Sequence, residues 1–315
     1  MPSLREPNTS CEIYQNRGII SKVQKYSTKD GPGIRTTVFF KGCPLHCLWC
    51  ANPELISPKP EILFNRSKCM LCGTCTMACP EHAIVQEQGK IHIKKDVCSG
   101  CGKCAQVCPM GVHELIGRYV SVEELVEELI KDKVFYEVSG GGVTFSGGEP
   151  ALQHKFLKQM AVELKKKKIH IALDTSGSVS WNCLEEILNF IDLVLYDIKA
   201  MDEETHKKCT GADNRLILEN AAKISELKIP MIVRFVIVPD YNDSEKDVKA
   251  RLEFVKNLRS VQQIDILPYH RLGVAKYERL GIDYVLNDVK PPSEEYINRL
   301  KSLIELYGYK AAIGG

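Results

Sequence analysis

Long apolar runs are missing from this 315-residue chain. No stretch approaches 18 uncharged apolar residues, which excludes a membrane-spanning helix, and no membrane partner is expected. The opening Met1-Pro2-Ser3-Leu4-Arg5-Glu6-Pro7 lacks the apolar core of a secretory signal, so a cytoplasmic location is expected. An excess of either charge is missing too: 42 Lys and Arg stand against 40 Asp and Glu, without a basic stripe. Such a balance argues against a nucleic-acid backbone as the main partner.

What the chain has in abundance is cysteine, 14 in all. Thiols in a reducing compartment stay reduced, so this number points to metal ligation rather than disulfides, and the spacing decides which metal. Two runs share one pattern: Cys69-x2-Cys72-x2-Cys75-x3-Cys79-Pro80 and Cys98-x2-Cys101-x2-Cys104-x3-Cys108-Pro109. Three close thiolates wrap three corners of a cubane, and the fourth reaches the neighbouring cluster, as in two-cluster bacterial ferredoxins. One cluster is therefore expected on Cys69, Cys72, Cys75 and Cys108, and the other on Cys98, Cys101, Cys104 and Cys79. The competing reading, a pair of four-cysteine zinc sites, does not call for this spacing.

A third group, Cys43-x3-Cys47-x2-Cys50, has no fourth cysteine close by. A cubane on three thiolates keeps one iron open to a substrate, as catalytic metal sites do. Two other readings stay open on spacing alone: a zinc site completed by His46, or a cluster closed by Cys11, Cys183 or Cys209. Cys183 lies in a helical pattern and Cys209 just after another, which suits packing thiols. Cys11 sits in a polar leader and is expected to be idle.

Residues 1–17 read as a loose extension, 57–118 as an inserted module around the doubled motif, and 18–56 with 119–315 as the main domain. The module's eight Lys and Arg against five Asp and Glu read as a solvated surface. Elsewhere, short β-rich runs at 37–40, 142–145, 169–173, 193–196, 232–238 and 264–267 alternate with helical patterns at 122–131, 154–167, 181–190, 217–226, 244–258 and 293–307. Such alternation implies a parallel sheet. The lysines at 165–168 fall at a helix end, where cations complement the dipole. Each strand runs into a polar or glycine-rich motif: the Cys43 loop, Ser146-Gly147-Gly148-Glu149-Pro150, Asp174-Thr175-Ser176-Gly177, Asp197-Ile198-Lys199 and Pro268-Tyr269-His270, with Arg234 inside the fifth. Functional groups gathered at C-terminal strand ends predict an α/β fold, a partial (β/α)6 TIM-like barrel carrying an inserted two-cluster ferredoxin-like module. Gly147-Gly148 permits a close backbone approach to a ligand that side chains would block.

Taken together, these motifs resemble the radical S-adenosylmethionine enzymes, specifically the activating enzymes of glycyl radical enzymes. The resemblance runs from Lys22 onward, through Asp30-Gly31-Pro32-Gly33-Ile34-Arg35-Thr36, Cys50-Ala51-Asn52-Pro53, Gly140 to Pro150, Asp174 to Gly177, Tyr196 to Lys199 and Leu267 to Gly273. The barrel is similar to that of pyruvate formate-lyase activating enzyme, and the two-cluster insertion to the activators of glycerol and diol dehydratases, arylacetate decarboxylases, choline lyases and arylsuccinate synthases. Ser176 stands where the pyruvate formate-lyase activator often has Asn.

The resemblance implies three 4Fe-4S clusters, an anaerobic setting and S-adenosylmethionine as cosubstrate, chelated at the Cys43, Cys47 and Cys50 cluster. It implies that Trp49 packs at the adenine, with Cys50 and Ala51 also in the cofactor site, and that Gly148 with its neighbours Gly147 and Glu149 receives the methionine amino group. Lys199 of Asp197-Ile198-Lys199 takes the carboxylate, His270 the adenosine end, and Asp174 the ribose or a monovalent cation. One electron cleaves the sulfonium, and the 5′-deoxyadenosyl radical takes hydrogen from a glycine of a partner glycyl radical enzyme; reduced flavodoxin or ferredoxin is the implied donor. The loop at 30–36 is either the docking surface for that glycine or a Gly-Pro turn with an internal Asp-Arg pair. The ferredoxin-like clusters form an electron path or a partner interface. The competing functions are a radical enzyme acting on a small molecule and an electron carrier with an idle barrel.

Overall fold

The computed structural model describes residues 17–314. The extension expected at 1–17, with Cys11, lies outside the described residues except for Arg17. The chain enters along β1 (Gly18–Ser27) and turns back antiparallel along β2 (Arg35–Phe40). Residues 61–116 then form a separate small unit. Strand β3 (Glu61–Phe64), helix α1 (Thr74–Ala78), the hairpin β4 (Ile84–Glu87) and β5 (Lys90–Ile93), helix α2 (Lys103–Val107) and strand β6 (His113–Ile116) share an apolar core of Ile62, Phe64, Ala83, Ile84, Ile91 and Val112. Gly73 and Gly102, both left-handed, open α1 and α2, so the two cysteine runs turn the same way.

After β7 (Arg118–Val120), which pairs with β1, the chain alternates helices with parallel strands. Helices α3 (Val122–Ile130) and α4 (Lys133–Ser139) lead to β8 (Gly142–Gly147), and α5 (His154–Lys166) leads to β9 (His170–Thr175). Then follow α6 (Trp181–Leu188), β10 (Leu193–Asp197), α7 (Glu203–Thr210), α8 (Arg215–Glu226) and β11 (Met231–Ile237). The chain closes with α9 (Glu245–Lys256), β12 (Val261–Pro268), α10 (Val274–Leu280), α11 (Glu294–Leu306) and β13 (Lys310–Ile313). Among the described residues the main sheet runs β13-β12-β11-β10-β9-β8-β2-β1-β7, parallel from β13 to β2. The helices bury apolar stripes such as Phe156, Leu157, Met160 and Leu164 of α5 against it.

The architecture is an α/β partial TIM-like barrel. Six parallel strands were expected and seven are present among the described residues; β13 was missed because it is short and half-buried to exposed throughout, and so lacks the apolar run that marks an interior strand. The antiparallel β1 was unforeseen because half of it is exposed and polar. Helices α4 and α10 were also missed: each is only seven residues long, too short for a periodic pattern. The helix expected before Cys209 is α7, which runs on to Thr210, so Cys209 sits inside its last turn rather than beyond it. Lys165 at the end of α5 pairs with Asp192 at 2.5 Å.

Candidate active site

Parallel register brings the C-terminal strand ends to one side, and there they surround a cavity of about 680 Å³. Cys43, Cys47 and Cys50 all line it, with Trp49, Ala51, Gly147, Gly148, Asp174, Asp197, Lys199 and His270. Lys29 and Asp30 reach it from the loop after β1, and Gly314 from beyond β13, so the sheet curls until its two sides share one interior. Glu149 and Ile198 turn away from it, at 0% and 1% exposure.

The cysteine loop is clamped by its own backbone. Gly42 and Cys43 donate their N–H groups to the carbonyls of Leu55 and Ile56, at 2.8 and 3.0 Å. His46 and Leu48 donate to Thr210 and Cys209 at the end of α7, at 2.7 and 2.9 Å. Tyr277 of α10 donates its hydroxyl to the Cys50 carbonyl at 3.1 Å, and Lys276 binds both Asn52 and Glu54 at 2.6 Å. His46 is exposed, and Cys209 is buried with Trp49, Tyr269 and Tyr277 in a small apolar cluster. Cys183 is buried in the main core on α6. Burial raises the Cys43, Cys47 and Cys50 thiols, the last to about 12.

The Gly147-Gly148 pair does more than face a ligand. A side chain on Gly148 would meet the Gly42 carbonyl oxygen at 2.2 Å, and Gly147 has φ +110° against the backbone of Phe40. Gly148 and Glu149 donate their N–H groups to Phe40 and Gly42, at 2.9 and 2.7 Å. Glu149 then accepts from Thr175 Oγ1 at 2.7 Å, from Ser176 N at 2.9 Å and from Ser176 Oγ at 2.8 Å, which fastens the end of β8 to the turn after β9. The serine where the resembling enzyme often has Asn thus has a structural partner.

Opposite the thiols lies a charge network that crosses four strands. Ser146 donates to Asp174 at 2.6 Å, Arg234 binds Asp174 and also Asp197 (at 2.8 Å), and Lys199 binds Asp197 at 2.9 Å. Burial alone would raise the Asp197 carboxyl; Arg234 and Lys199 outweigh it and bring it down to about 2. Burial likewise opposes the Lys199 and Arg234 cations, and the facing carboxylates hold both above their usual ranges. Asn242 donates to the Lys199 and Val236 carbonyls, both at 2.7 Å, which fixes the Lys199 turn. Arg234 was noticeable in the sequence as a lone cation in an apolar strand, but its two acidic partners lie 37 and 60 residues away, and only pairing of the strands reveals them.

The expected Asp-Arg pair in the loop at 30–36 does not form directly. Asp30 accepts from Ser27 and Thr37 hydroxyls at 2.5 and 2.6 Å, whereas Arg35, fully buried, donates to Thr144 and to the Val143 carbonyl at 2.6 and 2.7 Å.

In the small unit two further cavities form. Cys69, Cys72, Cys75 and Cys108 ring one, and Cys79, Cys98, Cys101 and Cys104 ring the other. Each holds four sulfur donors drawn from both runs, the crossed set that paired cubanes require.

The chain matches the Radical SAM superfamily over residues 97–252, a 4Fe-4S dicluster domain over 63–116 and a 4Fe-4S single cluster domain over 29–72. It is 43% identical to the trans-4-hydroxy-L-proline dehydratase activating enzyme of Clostridioides difficile, covering 94% of this chain and 99% of that protein. It is 38% identical to the (2S)-3-sulfopropanediol sulfolyase activating enzyme of Bilophila wadsworthia, over 93% and 98%. A radical SAM methyltransferase structure from Sphaerobacter thermophilus shares the fold, with a TM-score of 0.50 at 14% identity over 93% of this chain and 76% of that one. Near-complete coverage at such identity places the chain in a family: it belongs to the radical S-adenosylmethionine activating enzymes of glycyl radical enzymes.

Proposed function

We propose that this chain loads three 4Fe-4S clusters, one on Cys43, Cys47 and Cys50 and two in a ferredoxin-like insertion at 57–118, and uses the first to activate a partner glycyl radical enzyme. One observation carries this reading: among the described residues, three thiols without a fourth share a cavity with the Gly147-Gly148 backbone and the Asp174, Arg234, Asp197 and Lys199 network. A cluster held by Cys43, Cys47 and Cys50 would supply, once reduced, the one electron that cleaves S-adenosylmethionine to methionine and the 5′-deoxyadenosyl radical that takes the glycine hydrogen. The backbone at Gly148 receives the methionine amino group, and Lys199 the carboxylate. Trp49 and Ala51 pack against the adenine, and His270 holds the adenosine end. Asp174, paired with Arg234, binds ribose hydroxyls or a monovalent cation. Glu149 and Ile198 hold the loops from behind.

The partner's glycine segment enters between the Lys29-Asp30 loop and Gly314, which line the cavity from the two sides of the curled sheet. Only a glycine backbone has to reach the radical, so the metabolite the partner transforms leaves no mark on this cavity. The set of Cys98, Cys101, Cys104 and Cys79 lies on the barrel side: Cys98 shares a cavity with Arg279, Leu280 and Gly281, whereas the cavity ringed by Cys69, Cys72, Cys75 and Cys108 is lined by residues of the small unit alone. Clusters held by these two cysteine sets would supply a path for electrons from reduced flavodoxin or ferredoxin to the Cys43 site, in the cytoplasm.

Cleavage of S-adenosylmethionine, read as 5′-deoxyadenosine by chromatography, tests the assignment. Cys47→Ala is expected to abolish it, whereas Cys72→Ala only slows it when an artificial reductant feeds the first cluster directly. Undiminished cleavage by Cys47→Ala refutes the assignment.

A further inference from the structure

His113 is not accounted for by any of this chemistry. Its imidazole is 4% exposed, stacks on Phe64 with ring centroids 4.8 Å apart, and has no hydrogen-bond partner on either ring nitrogen. Every protonation state of an imidazole carries at least one N–H, and burying that donor unpaired is costly. The side chain lines the small cavity ringed by Cys69, Cys72, Cys75 and Cys108, the place where a partner for this donor would sit.

The internal repeat of the small unit supplies a comparison. His113 lies five residues after Cys108, and Ile84 lies five after Cys79. The two backbones match there: Cys79 has φ −76° and ψ 113°, and Cys108 has φ −78° and ψ 112°. Ile84, 3% exposed, lines the other four-cysteine cavity. Equivalent positions therefore offer one cavity a hydrogen-bond donor and the other only hydrocarbon.

We infer that His113 donates a ring N–H to a sulfur of the cluster held by Cys69, Cys72, Cys75 and Cys108 and raises that cluster's reduction potential above what an apolar residue would allow. The inference rests on the three-cluster reading. A hydrogen bond to sulfur offsets the extra negative charge of the reduced state, and such bonds are among the determinants of iron-sulfur potentials. The shape of the site supports the donor geometry, since stacking on Phe64 fixes the plane of the ring. His113 acts here as a tuning residue and takes no part in the radical chemistry.

The test is a redox titration of the anaerobically reconstituted full-length protein, followed by electron paramagnetic resonance. In His113→Ile one component is expected to move to lower potential while the others stay and iron content is unchanged; His113→Gln, which keeps an N–H donor, recovers part of the shift. Pulsed resonance on wild-type protein carrying 15N-histidine is expected to show a weak nitrogen coupling to a reduced cluster, and this measurement decides the matter if the isoleucine variant fails to load. An unmoved midpoint in fully loaded His113→Ile, or no nitrogen coupling in the wild type, overturns the inference alone. Too little iron in the wild type for the two module clusters overturns the cluster reading and this inference with it.

Discussion

Arg234 links two buried carboxylates, Asp174 and Asp197, and is itself only 10% exposed. Removing one partner of a buried ion network leaves charge uncompensated in a poorly solvated place. Arg234→Met is therefore expected to cost about 3 kcal/mol at neutral pH, measured by denaturant unfolding of the wild type and the variant side by side. The pH dependence follows from the sign of the shifts. In the wild type Asp197 titrates at about 2, below its unfolded range, so its contribution is complete above about pH 4 and is lost as pH falls toward 2. Burial already raises the Asp174 carboxyl in the wild type; loss of the guanidinium moves it further up and moves Asp197, which keeps only Lys199, up as well, so the variant's deficit is largest at high pH and shrinks on acidification. A deficit that does not vary between pH 7 and about pH 5 would contradict this account.

The turns after β2 and β8 work as one element. Phe40 and Gly42 accept hydrogen bonds from Gly148 and Glu149, and the glycines make that approach possible. Gly148→Ala would drive its new methyl against the Gly42 carbonyl and displace the cysteine loop one residue before Cys43. The expected result is at least a tenfold loss of S-adenosylmethionine affinity, about 1.4 kcal/mol, in equilibrium binding to the cluster-loaded protein. Affinity equal to the wild type would show that the loop yields without disturbing the site. Helix α10 braces the same loop from outside through Tyr277 and Lys276. Nothing in the local sequence of a seven-residue helix announced that role, because both partners lie more than 220 residues earlier.

At the scale of the whole molecule, two apolar cores stand apart, one under the main sheet and one within 61–116. The Cys43 site and the paired sites of the small unit are built by different pieces of chain, so the first is expected to fill independently of the other two. Iron content should be about twelve per chain in the wild type and about eight when Cys43, Cys47 and Cys50 are all replaced by alanine, as loss of a single cubane requires. A triple variant that falls to about four would show that the inserted clusters depend on the first. Contacts that tie the small unit to the barrel include Arg279 with Glu114 at 2.5 Å and Lys41 with Glu61 at 3.3 Å, and Arg279 and Glu61 share a cavity with Cys98.

The amino-acid sequence by itself determined the cysteine chemistry, because a four-iron cluster draws three of its ligands from one short loop, and loop spacing is local information. It also determined the order of strands and helices wherever apolar runs are long and buried, and thus the barrel class. Tertiary structure decided the rest. The burial of Glu149, the pairing of Arg234 with Asp174 and Asp197, and the places of β1 between β2 and β7 and of β13 at the sheet edge depend on residues far apart in the chain that meet only in the folded sheet, and the contrast between His113 and Ile84 depends on the packing of the small unit. Hydrogen bonds and ion pairs act over a few ångströms, and at that range the neighbours of a buried polar group are set by packing rather than by sequence distance.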